Sequence, residues 1–417
     1  MHLAFINNLY PPYVVGGNEM LCDEVVRALR ARGHRVSVLC GRGVDLPSHP
    51  DLSGGLEIDL DRKAETFLGG RLPSPWEAVR LHLFSPRSYG VTRRWLLAKR
   101  PDVVIVWNLY MASLSPLVAA LSGRAPVVVH VCDKWLYFGL FDLEALLRPV
   151  VPWKRLLLRA ARDGLQPVLR RWALPHRLIA ISEFMKSIYV RAGMDAAEVE
   201  VIHLGVPTRT FAVAPRAPRP VNAPLRILFV GSLWEGKGPQ TAVRALGHLR
   251  RDGVSARLDI CGEGTGHFVE FLKRVIEEED VVEDVTLHGK VDRDVVRDFC
   301  RSHDVLVFPS EWDEPFAAVP IEAMSSGMAV VATSAGGTPE AIVDGETGIV
   351  VAPGDPRALA EGLRRLAEDD ALRLRLGERA SQVARERFDL DRYIDRLEAC
   401  YRSCIPADQG QEPPQRP

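Results

Sequence analysis

Two glutamates separated by seven residues, Glu314 and Glu322, carry the most specific chemistry in the sequence. A carboxylate accepts hydrogen bonds from two neighbouring hydroxyls, so each can grip a ribose diol or a pair of sugar hydroxyls. Between them lie Phe316, Ala317, Ala318 and Val319. Backbone N–H groups at a helix start face phosphate oxygens, and the two alanines leave that backbone uncovered. Glutamate, amide cradle and glutamate in that order suit the sugar, diphosphate and ribose of a sugar nucleotide. In isolation, such a pair is more often two surface glutamates on a helix. A second phosphate signal is the run Gly231-Ser232-Leu233-Trp234-Glu235-Gly236-Lys237-Gly238, which places glycines and a lysine between a strand and a helix. In the N-terminal half, Gly16-Gly17 precede a helix, where a tight turn is their commonest meaning. His130 closes an apolar run, with Asp133 and Lys134 just beyond it. From position alone, His130 is as well read as a hydrogen-bonded core residue as a ligand-edge one.

These groups need a scaffold that brings strand ends together. Residues 305–308 and 329–333 are short apolar runs that suit strands buried on both faces. The spacing predicts a helix over 321–326, stopped by Gly327, and another starting at Thr338-Pro339. Further strands are predicted at 3–6, 35–40, 102–106, 126–129, 178–181, 199–202 and 225–230, and 258–264 repeats the pattern of a strand followed by glycines. A helix over 18–32, with Asn18 as its N-cap, ends at Gly33-His34. Residues 42–75, rich in Gly, Pro, Asp and Ser, read as a long loop. The fold class is α/β, with two Rossmann-like doubly wound parallel-sheet domains. Their expected bounds are 1–210 and 225–388, joined by a proline-rich linker at 211–224. A last helix is expected over 391–404, and 405–417 is expected to be a disordered tail.

Bulk properties agree with a globular protein and exclude several classes. The chain has 417 residues, too many for one ordinary core, with 47% hydrophobic and 26% charged residues. A net charge of −1 gives no general attraction to nucleic acid. The glycine loop is not G-x-G-x-x-G, which counts against a nicotinamide domain. Seven cysteines without a C-x-x-C suggest neither a disulfide framework nor a metal site, and so a cytoplasmic protein. No apolar run approaches the ~20 residues of a membrane span, and the N-terminus does not read as a signal peptide. Residues 148–177 hold eight basic residues and one acidic one, with Trp153 and Trp172 among them. Such a segment suits either peripheral contact with an anionic membrane or cleft-lining helices.

The stretch 304–351 resembles the retaining GT-B glycosyltransferases of family four, the glycosyl transferases group 1. The matching residues include Pro309, Ser310, Glu314, Pro315, Phe316, Glu322, Gly336, Gly337, Glu340, Asp344, Gly345 and Gly348. Ala317 departs from the family's glycine, Ser232 from its arginine, and Leu204 from its asparagine. The resemblance implies transfer of a sugar from a nucleoside diphosphate, UDP or GDP, to a glycan, lipid-linked or natural-product hydroxyl. It implies retention of configuration, no cofactor and no required metal. In the roles it implies, Glu314 and His130 attend the sugar beside Gly17, and Glu322 holds the ribose. Gly16, Gly17, Ser232, Lys237 and residues 316–319 would line the diphosphate, with Lys290 and Val291 near the base. It also implies that Gly33-His34 belongs to the glycine-loop pattern, that 285–291 is the strand leading to the base, that the two domains of the GT-B fold face a central cleft, and that the last helix packs back on the first domain. Two rivals are a sugar-nucleotide epimerase of the same fold and a non-catalytic sugar-nucleotide binder, the latter suggested by Ser232.

Overall fold

Short apolar runs form two separate parallel sheets in the computed structural model of the chain. The structure describes residues 1–14, 16–41, 51–58, 84–110, 112–142, 163–164, 166–175, 177–213 and 215–406. Most of the expected 42–75 loop, residues 148–162 of the basic segment and the tail from 407 lie outside these. By its contacts the chain divides into two units. The first is Met1–Ile181, Met185–Ile202 and Ile394–Pro417; the second is Ser182–Phe184 and His203–Tyr393.

The sheet of the first unit holds β1 (His2–Asn7), β2 (Arg35–Gly41), β3 (Leu52–Leu56), β4 (Val103–Asn108), β5 (Val127–Val131), β6 (Arg177–Ala180) and β7 (Val199–Val201). Its order is β3-β2-β1-β4-β5-β6-β7. Leu3, Phe5, Ile105 and Val129 have no exposed surface, as expected where helices cover both faces of a parallel sheet. β3 was not expected. Its Leu-Ser-Gly-Gly-Leu sequence carries no apolar run, and pairing with β2, Leu52 opposite Val38, makes it an edge strand. The final helix, Leu390–Ser403, contributes Tyr401, whose buried ring meets Phe5 edge-on at 6.4 Å.

The sheet of the second unit holds β8 (Leu225–Val230), β9 (Ala256–Cys261), β10 (Val285–Gly289), β11 (Val305–Phe308), β12 (Ala329–Thr333) and β13 (Ile349–Val351), in the order β10-β9-β8-β11-β12-β13. Ile227, Phe229, Leu258 and Val307 form its core with Leu246 of the Pro239–Arg251 helix and Leu363 of the Pro356–Glu368 helix. The direction of winding reverses between β8 and β11, and between β1 and β4 in the first sheet. Ligands of open α/β sheets bind at such reversals, outside the strands' C-terminal ends. The helix expected after Thr338 is only a single 3₁₀ turn, Thr338–Glu340. Thr347 Oγ1 accepts from Val343 N at 2.8 Å and donates to Ala341 O at 3.2 Å, which diverts that backbone from a helical ladder.

The proline-rich segment before β8 is anchored through Arg216. Its Nε donates to Ser326 O at 2.9 Å, and its two terminal nitrogens donate to His303 O and Cys300 O. These carbonyls end two helices, Arg293–Ser302 and Ala318–Ser325. A guanidinium is well matched to the partial negative charge of helix C-termini. Burial pulls this guanidinium down to about 10. Replacing Arg216 with alanine strands those carbonyls and should cost roughly 2–4 kcal/mol of stability. Denaturation of Arg216→Ala at an unchanged midpoint would show that the anchor is dispensable.

Candidate active site

In the second unit the loops following β8 and β11 meet at the winding reversal. Gly238 has φ +71°, and a Cβ there would lie 2.0 Å from Pro309 O, so the Lys237 loop touches the end of β11 backbone to backbone. Gly336 has φ +59°, and its Cβ would lie 2.1 Å from Glu314 O. Gly337 N donates to that same carbonyl at 2.7 Å. These glycines explain why side-chain-free positions flank the acidic loop: they fix the backbone of Glu314 from two directions.

The Glu314 side chain is 4% exposed, and its Oε1 lies 2.5 Å from Lys237 Nζ. Ser310 Oγ donates to the same oxygen at 2.7 Å. The Lys237 ammonium also sits over the ring of Trp312, 5.4 Å from its centre. Glu314 and Lys237, assigned in sequence to sugar and diphosphate, are thus brought together as a buried ion pair. Glu322, in the second turn of the Ala318–Ser325 helix, is 6% exposed and accepts from Arg293 Nη2 at 2.5 Å. Arg293 did not stand out in sequence. The only signal for it was that a buried carboxylate needs a cation, and that need does not name the residue.

The remaining donor-side residues are placed as follows. The Ala318–Ser325 helix starts with Ala317 in extended conformation, three residues earlier than its expected start, so the amides of Ala318 and Val319 lie in its open first turn. Phe316 is buried, its ring 5.3 Å from His203 and 5.7 Å from Phe388, and turned into the core. Ser232 is exposed. Lys290 and Val291 follow β10, and the Lys290 ammonium pairs with Glu263 at 3.0 Å on the surface.

In the first unit, His130 lies within β5 and is fully buried. Its imidazole stacks on Trp107 of β4, with centres 4.0 Å apart and planes 4° from parallel. The Trp107 indole N–H donates to Asn18 Oδ1 at 2.8 Å. Asn18 is therefore not the helix cap: the helix is Gly17–Ala31, and Gly16 caps it. Gly16 N donates to Glu19 Oε2 at 2.8 Å, so a protein carboxylate occupies this helix start. Asp133 Oδ2 accepts from Asn108 Nδ2 at 3.0 Å, which ties the ends of β4 and β5 together, and Lys134 caps the short Trp135–Leu140 helix. Gly33-His34 lies before β2, at the opposite edge of the sheet from Gly16-Gly17.

Residues 15–210 match the family described as Glycosyltransferase Family 4, and residues 215–383 match Glycosyl transferases group 1. The chain belongs to the group 1, family 4 glycosyltransferases. The glycogen synthase of Mycobacterium tuberculosis is 29% identical to it over 406 residues, 94% of this chain and 91% of its own. A D-inositol 3-phosphate glycosyltransferase of Xylanimonas cellulosilytica is 34% identical over 213 residues, 48% of this chain and 50% of its own. Among solved structures, HepE of Anabaena in complex with UDP shares the fold with a TM-score of 0.69, over 97% of this chain and 100% of its own, at 19% identity. Sucrose-phosphate synthase from Thermosynechococcus elongatus gives 0.70, over 96% and 98%, also at 19%.

In this glycosyltransferase, burial pulls the His130 imidazole down to about 3. The nearby Cys132 thiol, 3.2 Å from His130 Nδ1, is held protonated by burial. An unfolded histidine takes up its proton near pH 6.5, and this folded one only near 3. Between those values the unfolded chain binds more protons, so stability falls as pH falls, by up to about 1.4 kcal/mol per pH unit from this residue. Imidazole NMR signals of His130 should stay those of a neutral ring from pH 8 to 5. A titration midpoint near 6.5 would contradict this.

Proposed function

We propose that this enzyme transfers a sugar from a nucleoside-diphosphate sugar to an acceptor hydroxyl, with retention at the anomeric carbon and without a required metal. The observation that carries the reading is the Lys237–Glu314 pair at the winding reversal, beside the open first turn of the Ala318–Ser325 helix. The pair joins a cation to a carboxylate, and the helix amides follow four residues along the chain; these are the groups a sugar diphosphate needs.

On this reading Lys237 and the amides of Ala318 and Val319 receive the diphosphate, and Glu314 accepts from sugar hydroxyls. Glu322 accepts from the ribose diol, and the backbone at Lys290 and Val291 lies toward the base. The anomeric carbon–oxygen bond to the phosphate breaks as the acceptor oxygen bonds from the same face. The acceptor proton passes to the leaving phosphate oxygen, so no protein base is consumed. Lys237 and the helix amides meet the charge that develops on the diphosphate. His130, whose ring is neutral, and the Gly17 backbone are the groups that the family resemblance assigns to the transferred sugar. The UDP and UDP-glucose in HepE complexes make UDP-glucose the first donor to try.

Glu314→Gln should lower kcat at least ~10²-fold, in line with losing a positioned stabilising group. Its affinity for free UDP should not weaken, because Lys237 loses a competing partner. Lys237→Ala should weaken UDP binding. A Glu314→Gln enzyme that turns over at the wild-type rate, with a verified donor and acceptor, would end this assignment. Donor alone separates the rivals: an epimerase changes the sugar, and a mere binder leaves it intact.

We also propose peripheral contact with anionic membrane through residues 148–177, at a cytoplasmic face. In the described part, Trp172 is 65% exposed beside exposed Arg171, which supports such contact. Arg170 does not contribute, because its guanidinium lies 4.5 Å over the Phe141 ring and donates to Ala192 O. The enzyme should cosediment with anionic vesicles at low salt and release as salt rises. No cosedimentation at low salt would leave this segment without a membrane role.

A further inference from the structure

We infer that Arg293 is a positioning residue that sets the Glu322 carboxylate for a ribose, and thereby makes nucleotide binding depend on the ribose hydroxyls. The inference rests on the assignment of Glu322 to the ribose. Arg293 opens the Arg293–Ser302 helix, directly after the Lys290-Val291-Asp292 turn that leaves β10. From there it reaches a different element, donating through Nη2 to Glu322 Oε1 at 2.5 Å. Its side chain is 38% exposed and that of Glu322 6%. The contact therefore joins a solvent-reaching cation to a carboxylate that the core would otherwise isolate.

The geometry divides the carboxylate between two tasks. Oε1 is held by the guanidinium, and Oε2 has no hydrogen bond from any of the described residues. A carboxylate oxygen has two lone pairs, enough to accept from both hydroxyls of a vicinal diol. Arg293 pairs with one oxygen of the Glu322 carboxylate and fixes its rotation, so the other oxygen is presented without the entropy of a loose side chain. The guanidinium fork is suited to this because its donors lie in one plane; an ammonium keeps the charge but not the orientation. Both helices are tied at their C-terminal ends by Arg216, which fixes the distance between the elements bearing Arg293 and Glu322.

The test is calorimetric titration of the full-length enzyme with UDP and with 2′-deoxy-UDP. The wild type should prefer UDP by about tenfold, the worth of one charged hydrogen bond. Glu322→Gln should lose that preference. Arg293→Ala should lose it too, with UDP affinity down about tenfold and affinity for the deoxy nucleotide nearly unchanged. Arg293→Lys should recover part of the preference, and it serves as the working variant if the alanine form does not fold. The double variant should be no worse than either single one, since both remove one device. An Arg293→Ala enzyme that weakens both nucleotides equally, or that keeps the ribose preference lost in Glu322→Gln, overturns the positioning role and leaves the Glu322 assignment standing. A wild type without preference, or a Glu322→Gln enzyme that retains it, overturns the Glu322 assignment itself.

Discussion

Two buried carboxylates govern the architecture of the C-terminal domain. An ionised carboxylate taken out of water is strongly destabilising unless a cation and hydrogen bonds surround it. Glu314 and Glu322 are both almost without exposed surface, and each has its own cation, Lys237 and Arg293. Those cations come from the segments after β8 and β10, whereas the carboxylates follow β11, so the pairs bind together loops that are distant in sequence. Pairing at these distances demands close backbone approach, and Gly238 and Gly336 provide it. Arg216 closes the arrangement from the far side by holding the carbonyl ends of the two helices. The structural and chemical requirements of this site are therefore largely the same requirement.

The N-terminal domain solves the opposite problem. Its candidate group, His130, is fully buried without a charge, packed flat on Trp107 and in contact with a protonated thiol. A buried carboxylate of this unit that pairs with an arginine, Asp23 with Arg27, lies on the Gly17–Ala31 helix. With its imidazole pulled down to about 3 by burial, His130 gains no charge between pH 5 and 8, so its own titration contributes no pH dependence in that window.

Legibility in the sequence followed the physical range of each signal. Continuous Val, Ile and Leu runs marked the buried strands because burial on both faces leaves no room for polar alternation. β3 escaped because Ser53, Gly54 and Gly55 carry no such run, and its strand character comes from its neighbour. Thr338-Pro339 looked like a helix start because local propensity says so; the side chain of Thr347, several residues on, prevails over it. Glu314, Glu322 and Lys237 were visible by type and spacing, but their pairing was not. Arg293 and Arg216 act across long sequence separations, and a single sequence holds no mark of such contacts. The proline-rich run around Arg216 read as a linker by composition, although its arginine is anchored within the second unit.

The charge balance of the site has a consequence for the proposed reaction. Lys237 and Arg293 are matched by Glu314 and Glu322, so these four side chains carry no net charge. An incoming diphosphate brings negative charge to a locally neutral site, and Ser232 supplies no cation where the family has arginine. Two sources of attraction remain. One is the partial positive charge at the start of the Ala318–Ser325 helix, about half an elementary charge. The other is Lys237 itself, if it turns from Glu314 to phosphate. That turn leaves Glu314 buried without its cation, a costly state unless sugar hydroxyls donate to it at the same moment. Diphosphate capture and sugar capture are then one exchange: Lys237 goes to the phosphate only as the sugar takes its place at Glu314. A free nucleoside diphosphate, lacking the sugar, meets a lysine still held by Glu314. Under the proposed roles of Lys237 and Glu314, discrimination between donor and spent nucleotide would follow from charge pairing.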